Sequence, residues 1–152
     1  MTPRRSRPRF EPGYGIAEAA TGMLDWSWAE ERLERSRNYW IGTTGADRAP
    51  AVAPVWGVWR DGALHFGTNP RSQKGRNLAR DPRVVVHLES GDEVVIVHGR
   101  VDRVVPDEAT LDAYEEKYGY RPGREGLYRV HPRVALAWLE SEYPQTATRF
   151  DF

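Results

Sequence analysis

Two runs of β-branched residues, Val84-Val85-Val86 and Val94-Val95-Ile96-Val97, constrain the fold most. Ser90-Gly91-Asp92 lies between them and has the composition of a hairpin turn, so the two runs read as adjacent strands. A half-solvated strand alternates apolar and polar residues; a continuous apolar run needs cover on both faces. One face belongs to the core, and a partner subunit is a natural cover for the other.

The rest of the chain repeats the same short-strand grammar. An apolar and aromatic stretch begins at Asn38-Tyr39-Trp40 and runs into the turn residues Gly45-Ala46-Asp47-Arg48. A second strand is expected over 51–59. Asp61-Gly62 is a strong hairpin signal and returns the chain as a third strand over 64–68. Further strands are expected over 127–130, 134–139 and 146–152. Three helices punctuate them: 24–35, a short one starting after Ser72 and stopped by Pro82, and 107–118, where Leu111, Tyr114 and Tyr118 share a face. Seven or eight strands with peripheral helices predict a mainly β chain built as a closed antiparallel barrel. Residues 1–22, with Arg4, Arg5, Arg7 and Arg9, read as a flexible basic tail, and 23–152 as one domain.

Composition excludes several functions. The chain has 152 residues, no cysteine and a formal net charge of zero. Disulfides and thiolate chemistry are therefore absent, and no overall field draws the chain to nucleic acid or an anionic membrane. No apolar stretch approaches the ~18 residues of a membrane helix. A cytoplasmic protein is expected. His87 and His98 lie on the two valine strands, but no acidic residue at ligand spacing accompanies them, so no metal site is assigned.

Two segments carry the chemistry. At Arg71-Ser72-Gln73-Lys74-Gly75-Arg76 three cations crowd a helix N-terminus, which is itself positive and favours anions. The arrangement suits a phosphate, although spacing alone fits a solvated basic turn equally well. Lysine is also rare here: only Lys74 and Lys117 against twenty arginines. Lys74 thus marks a place suited to a compact ammonium, whereas Lys117, in an acidic helix, reads as solvated. In the second segment, Ala53-Pro54-Val55-Trp56-Gly57, a proline and a glycine interrupt an apolar strand and open its backbone to a flat ring or to a simple bulge.

Asn38-Tyr39-Trp40, Val52-Ala53-Pro54-Val55-Trp56-Gly57, Arg71-Ser72-x-Lys74-x-x-Asn77-Leu78 and Asp81-Pro82-Arg83-Val84 together resemble the pyridoxamine 5'-phosphate oxidase-like split β-barrel superfamily. Within it they resemble most the flavin/deazaflavin oxidoreductases that use coenzyme F420. The resemblance implies an FMN-binding-like split barrel and a homodimer with cofactor sites at the interface. It assigns Arg71, Ser72 and Lys74 to the cofactor phosphate and anionic tail, with Thr68 and Asn77 flanking. Pro54, Val55 and Trp56 would support the ring, and the segment containing Arg149 would reach toward the neighbouring subunit's site. The implied activity is hydride transfer from reduced F420 to a small conjugated molecule, without a catalytic dyad. FMN as cofactor and a non-catalytic flavin, deazaflavin or haem carrier are the alternatives. Trp56, Trp59 and Tyr39 are candidate walls of the substrate space. Gly75 departs from the family pattern as a helix weakener, and His65 as a residue that alters the pocket.

Overall fold

The computed structural model describes residues 2–152. Nine strands are found: β1 Arg4–Ser6, β2 Tyr39–Thr44, β3 Pro50–Val55, β4 Gly57–Arg60, β5 Ala63–Gly67, β6 Arg83–His87, β7 Glu93–Val104, β8 Leu127–Leu139 and β9 Thr148–Asp151. The helices are α1 Trp26–Arg35, α2 Gln73–Arg80, α3 Glu108–Tyr118 and the single turn α4 Tyr143–Thr146. All pairings are antiparallel, and one ladder path runs β1-β9-β8-β7-β6-β2-β3, with β4 paired to β5 and β5 to β8.

The sheet does not close by hydrogen bonds. The segment expected as one strand over 51–59 is broken at Trp56 into β3, which pairs with β2, and β4, which pairs with β5. The branch β3-β2-β6-β7-β8-β5-β4 therefore begins and ends on one stretch of chain, and the barrel is split there. Gly57 makes the break possible: a Cβ at this position would lie 2.9 Å from the His65 carbonyl oxygen and 2.9 Å from Leu64 Cδ1.

One local expectation is met for the reason anticipated, and two are modified. Asp61 and Gly62 both take positive φ, 53° and 73°, as the two-residue turn joining β4 to β5 requires. The two strands expected at 127–130 and 134–139 are one long strand. It pairs with β7 throughout, with a register shift opposite His98 and Gly99. Strand β9 is shorter than expected because Tyr143–Thr146 first makes a helical turn.

The core fills the inside of the curved sheet. Tyr39, Ile41, Leu64, Phe66, Val86, Val95, Val97 and Phe150 are buried there, and α1 closes one end with Trp26, Ala29 and Leu33. On the valine strands the inward residues Val84, Val86, Val95 and Val97 are buried, whereas Val85, Val94 and Ile96 are half-buried. The chain therefore covers one face of these strands and leaves the other partly open.

The N-terminal segment corrects the expectation of a flexible tail. Strand β1 pairs with β9, and Pro3 and Pro8 are buried. Arg7 donates to the carbonyls of Ala19, Thr21, Gln145 and Ala147. Composition suggested a solvated run of charge, but these carbonyls, left over by irregular chain, give the guanidinium somewhere to dock.

Gly57→Ala is expected to destabilise the fold by about 1–3 kcal/mol, because the added methyl group meets fixed backbone. A urea titration comparing this variant with the parent checks it, and an unchanged midpoint would contradict the close-approach account.

Candidate functional site

The site forms where the strand break, the β5–α2 turn and α3 meet. Residues 69–72 fold as a turn: Asn69 accepts the Arg71 N–H on Oδ1 at 2.9 Å and the Ser72 N–H on its carbonyl at 2.9 Å. Pro70 occupies the position where its fixed φ favours such a turn. Ser72 then caps α2, its Oγ accepting the Gly75 N–H at 3.0 Å and lying 3.2 Å from Thr68 Oγ1. The amides of Gln73 and Lys74 find no acceptor among the described residues. Gly75 is a requirement here rather than a weakness. A Cβ would lie 2.5 Å from the Asn69 oxygen and 2.6 Å from the Pro70 oxygen, so only glycine lets the turn fold onto the helix.

Beside this turn lies a cavity of about 650 Å³. Pro54, Val55 and Trp56 form one wall, Gly67 to Pro70 and Lys74 another, and Tyr114, Tyr120, Pro122 and Arg103 the remainder. Its charged lining residues are Lys74, Arg103 and Glu125. Lys74 is half-buried, and neither it nor Arg71 or Arg76 forms an ion pair among the described residues. Arg71 stands exposed on the same turn, and Arg76 is turned back onto the Arg71 carbonyl and Gln73.

The break that opens the wall is repaired by α3. Tyr114 Oη donates to the Trp56 carbonyl at 3.0 Å, and the Gly57 N–H donates to Tyr118 Oη at 2.9 Å. Lys117 Nζ donates to the Gly57 carbonyl at 2.8 Å and to Tyr39 Oη at 2.9 Å. Trp56 is 41% exposed and stacks on Tyr118, with ring centroids 4.6 Å apart and planes 6° from parallel. Burial raises the Tyr114 hydroxyl well above the ordinary tyrosine range, so it stays a donor. Lys117 is therefore not solvated as its acidic neighbours suggested. Desolvation, followed by repulsion from Arg37, lowers its pKa to about 8.

The structure thus brings Pro54, Val55, Trp56, Thr68 and Lys74 to one cavity, with Arg71 and Ser72 on the turn beside it. Asn77 is held elsewhere. It is 1% exposed, accepts from Gln73 Nε2 at 2.8 Å and donates to Thr43 Oγ1 at 3.1 Å, tying α2 to β2. Arg149 lies on β9, at the opposite end of the ladder path from β3, bound to Asp151. Tyr39 and Trp59 are core residues, 0% and 7% exposed, and wall no substrate space. His65 lies outside the main cavity, against a separate one of about 180 Å³ with Asp107 and Arg129, and burial followed by the Arg129 charge lowers its pKa. His87 and His98 share the outer face but sit two positions apart in register. Among the described residues no cluster of metal-ligating side chains occurs.

Sequence reasoning missed Tyr114, Lys117 and Tyr118 as site builders. Their spacing was visible, but it matched a packing face equally well. Tyr120 and Arg103 gave no signal, since only the tertiary fold brings the 119–126 loop and the end of β7 to the cavity.

The sequence profile described as pyridoxamine 5'-phosphate oxidase matches residues 28–146. The fold is similar to that of a conserved hypothetical protein from Mycobacterium tuberculosis, at 25% identity and TM-score 0.67, covering 76% of this chain and 85% of that one. It is also similar to an F420 reductase, at 25% identity and TM-score 0.59, covering 70% and 94%. A haem storage protein from Vibrio cholerae shares the fold at 15% identity and TM-score 0.58, covering 69% and 87%. No curated protein matches the sequence.

The lysine at the break makes stability pH-dependent with a definite sign. Between about pH 8 and 10 the unfolded chain holds a proton on Lys117 that the folded chain has released, so stability rises with pH. Above pH 10 the trend reverses, because Tyr39 and Tyr114 keep in the fold protons that the unfolded chain loses. Denaturant midpoints measured from pH 7.5 to 11 should pass through a maximum, and Lys117→Met should remove the rising limb. A rise that persists in that variant would assign it to another group.

Proposed function

The chain belongs to the pyridoxamine 5'-phosphate oxidase family, and from that premise we propose that it is a cytoplasmic F420-dependent reductase acting on a small, conjugated organic molecule. One observation carries the proposal: a helix N-terminus with two unused amides and three cations lacking carboxylate partners borders a cavity walled by an exposed tryptophan. Such a cradle fits a phosphate joined to a flat ring. The likeness to an F420 reductase supports the choice of ring.

The residues present fit the cofactor. The amides of Gln73 and Lys74, the Lys74 ammonium and the Ser72 and Thr68 hydroxyls would hold its phosphate, with Arg71 on the exposed side available to an anionic tail. Reduced F420, when bound, supplies a hydride to an electrophilic carbon. The chain's own part is to bind and orient. Trp56 would support the ring; Tyr118 stacks on its indole and Tyr114 holds its carbonyl. No dyad is needed for proton transfer, because the redox chemistry resides in the cofactor.

The proposal includes a homodimer with cofactor sites at the interface. The open face of the valine strands supports it: Val52 is 58% exposed, and Trp40, Val85, Ile96, Leu136 and Trp138 lie half-buried on that face. A contiguous apolar surface of this kind is covered in most soluble proteins.

Titration with F420 and with FMN, followed by absorbance and fluorescence, tests the cofactor assignment. F420 is expected to bind more tightly than FMN, and the opposite order would make the chain an FMN protein. Lys74→Ala should weaken F420 binding by roughly 1.5–3 kcal/mol, the range for lost charge-assisted hydrogen bonds. Light scattering at micromolar concentration should return twice the chain mass. Cofactor binding with no turnover of any enone in a broad panel would leave a carrier in place of an enzyme.

A further inference from the structure

A second concentration of positive charge lies at the β1–β9 end of the sheet, away from the α2 cradle. The register sets Arg4 opposite Asp151 and Ser6 opposite Arg149. The chain leaving β1 adds Arg7 and Arg9, and these six residues line a cavity of about 500 Å³. Four guanidiniums face one carboxylate, a net charge of +3 in a chain whose total is zero. Asp151 is already shared: Arg149 donates to it from Nη2 at 2.7 Å and Nε at 3.0 Å, and Arg4 lies 3.3 Å away.

Arg7 shows why this is more than a solvated rim. Its five N–H donors all go to main-chain carbonyls: Nε to Ala19 at 2.9 Å, Nη2 to Ala19 at 2.6 Å and Thr21 at 2.9 Å, and Nη1 to Gln145 at 2.6 Å and Ala147 at 2.9 Å. The charge is fixed in place, half-buried, and faces no carboxylate. It supplies field but no free donor. Arg9 is the complement, lining the cavity while making no hydrogen bond or ion pair among the described residues. Edge-strand protection accounts for one or two charges on β1. It does not account for a locked cation at the base of a concave, like-charged cluster, which raises the free energy of the fold unless an anion answers it.

We propose that this cavity binds a compact polyanion, a small molecule bearing a diphosphate, at a site separate from the α2 cradle and independent of the function proposed above. Guanidinium forks match phosphate oxygens in paired, charge-assisted hydrogen bonds. Arg9 and the unused nitrogens of Arg4 and Arg149 supply the donors, and a diphosphate carries charge of the size the cavity lacks.

Inorganic pyrophosphate is the probe, titrated calorimetrically into the purified full chain. One equivalent per chain should bind saturably, more weakly as salt is raised. Binding should survive Lys74→Ala and weaken about tenfold or more in Arg9→Ala, as expected for lost charge-assisted bonds. Arg9 has no internal partner, so Arg9→Ala should melt where the parent does, and Arg9→Lys should recover part of the affinity. The proposal is overturned by absence of saturable binding to the parent chain. It is equally overturned if Lys74→Ala abolishes binding while Arg9→Ala leaves it intact, because the pyrophosphate would then occupy the cofactor cradle.

Discussion

The whole arrangement depends on how the chain survives changing partners between Val55 and Gly57. A strand that leaves one ladder for another strands the polar groups at the crossing, and each such group left unpaired in the interior costs about 1–3 kcal/mol. Helix α3 answers three of them. Tyr114 reaches the Trp56 carbonyl, Tyr118 takes the Gly57 N–H, and Lys117 reaches the Gly57 carbonyl. One helical face thus does what a neighbouring strand would have done. The break is then stable, Trp56 is turned outward, and the cavity exists because the ladder does not.

This repair also explains the division of charge around the cavity. The carboxylates on the outer side of α3 are already engaged: Glu108, Asp112 and Glu115 surround Arg121, and Arg124 also meets Glu108. That network pins the 119–126 loop, whose Tyr120 and Pro122 complete the far wall. Lys74 is consequently left without a carboxylate partner on the opposite side. Those three carboxylates are spent on holding the loop; Glu125 lines the cavity beside Lys74 and Arg103, so the lining keeps a net positive charge available to an anion.

Local signals in the sequence succeeded where one physical demand had one solution. Asp61-Gly62 had to be a tight turn, and Ser72 had to cap a helix. The signals failed where the answer came from a distant segment. Pro54 and Gly57 marked a disturbed strand, but nothing local says that the two halves acquire different partners. Asn77 looked like a ligand contact because the family resemblance sets it beside the phosphate; in the fold it is consumed by Gln73 and Thr43. Gly75 looked like a defect by helix propensity, since propensity contains no term for the backbone of a preceding turn. The arginine-rich N-terminus looked disordered because composition cannot see the carbonyls that wait for Arg7.

Lysine usage connects these observations. In a chain that chooses arginine twenty times, the two lysines stand on opposite sides of the same construction, one at the cradle and one at the break. At Lys117 the ammonium enters a half-buried gap between Tyr39 and Gly57, where a guanidinium would carry five donors to only two acceptors. At Lys74 a single point charge on a flexible stem can follow a phosphate without imposing a planar fork on it. The rarity of lysine therefore pointed to both positions for one reason, the need for a small cation in a confined space. The acidic neighbours of Lys117 in sequence point it toward solvent, whereas the confined space between Tyr39 and Gly57 takes it inward.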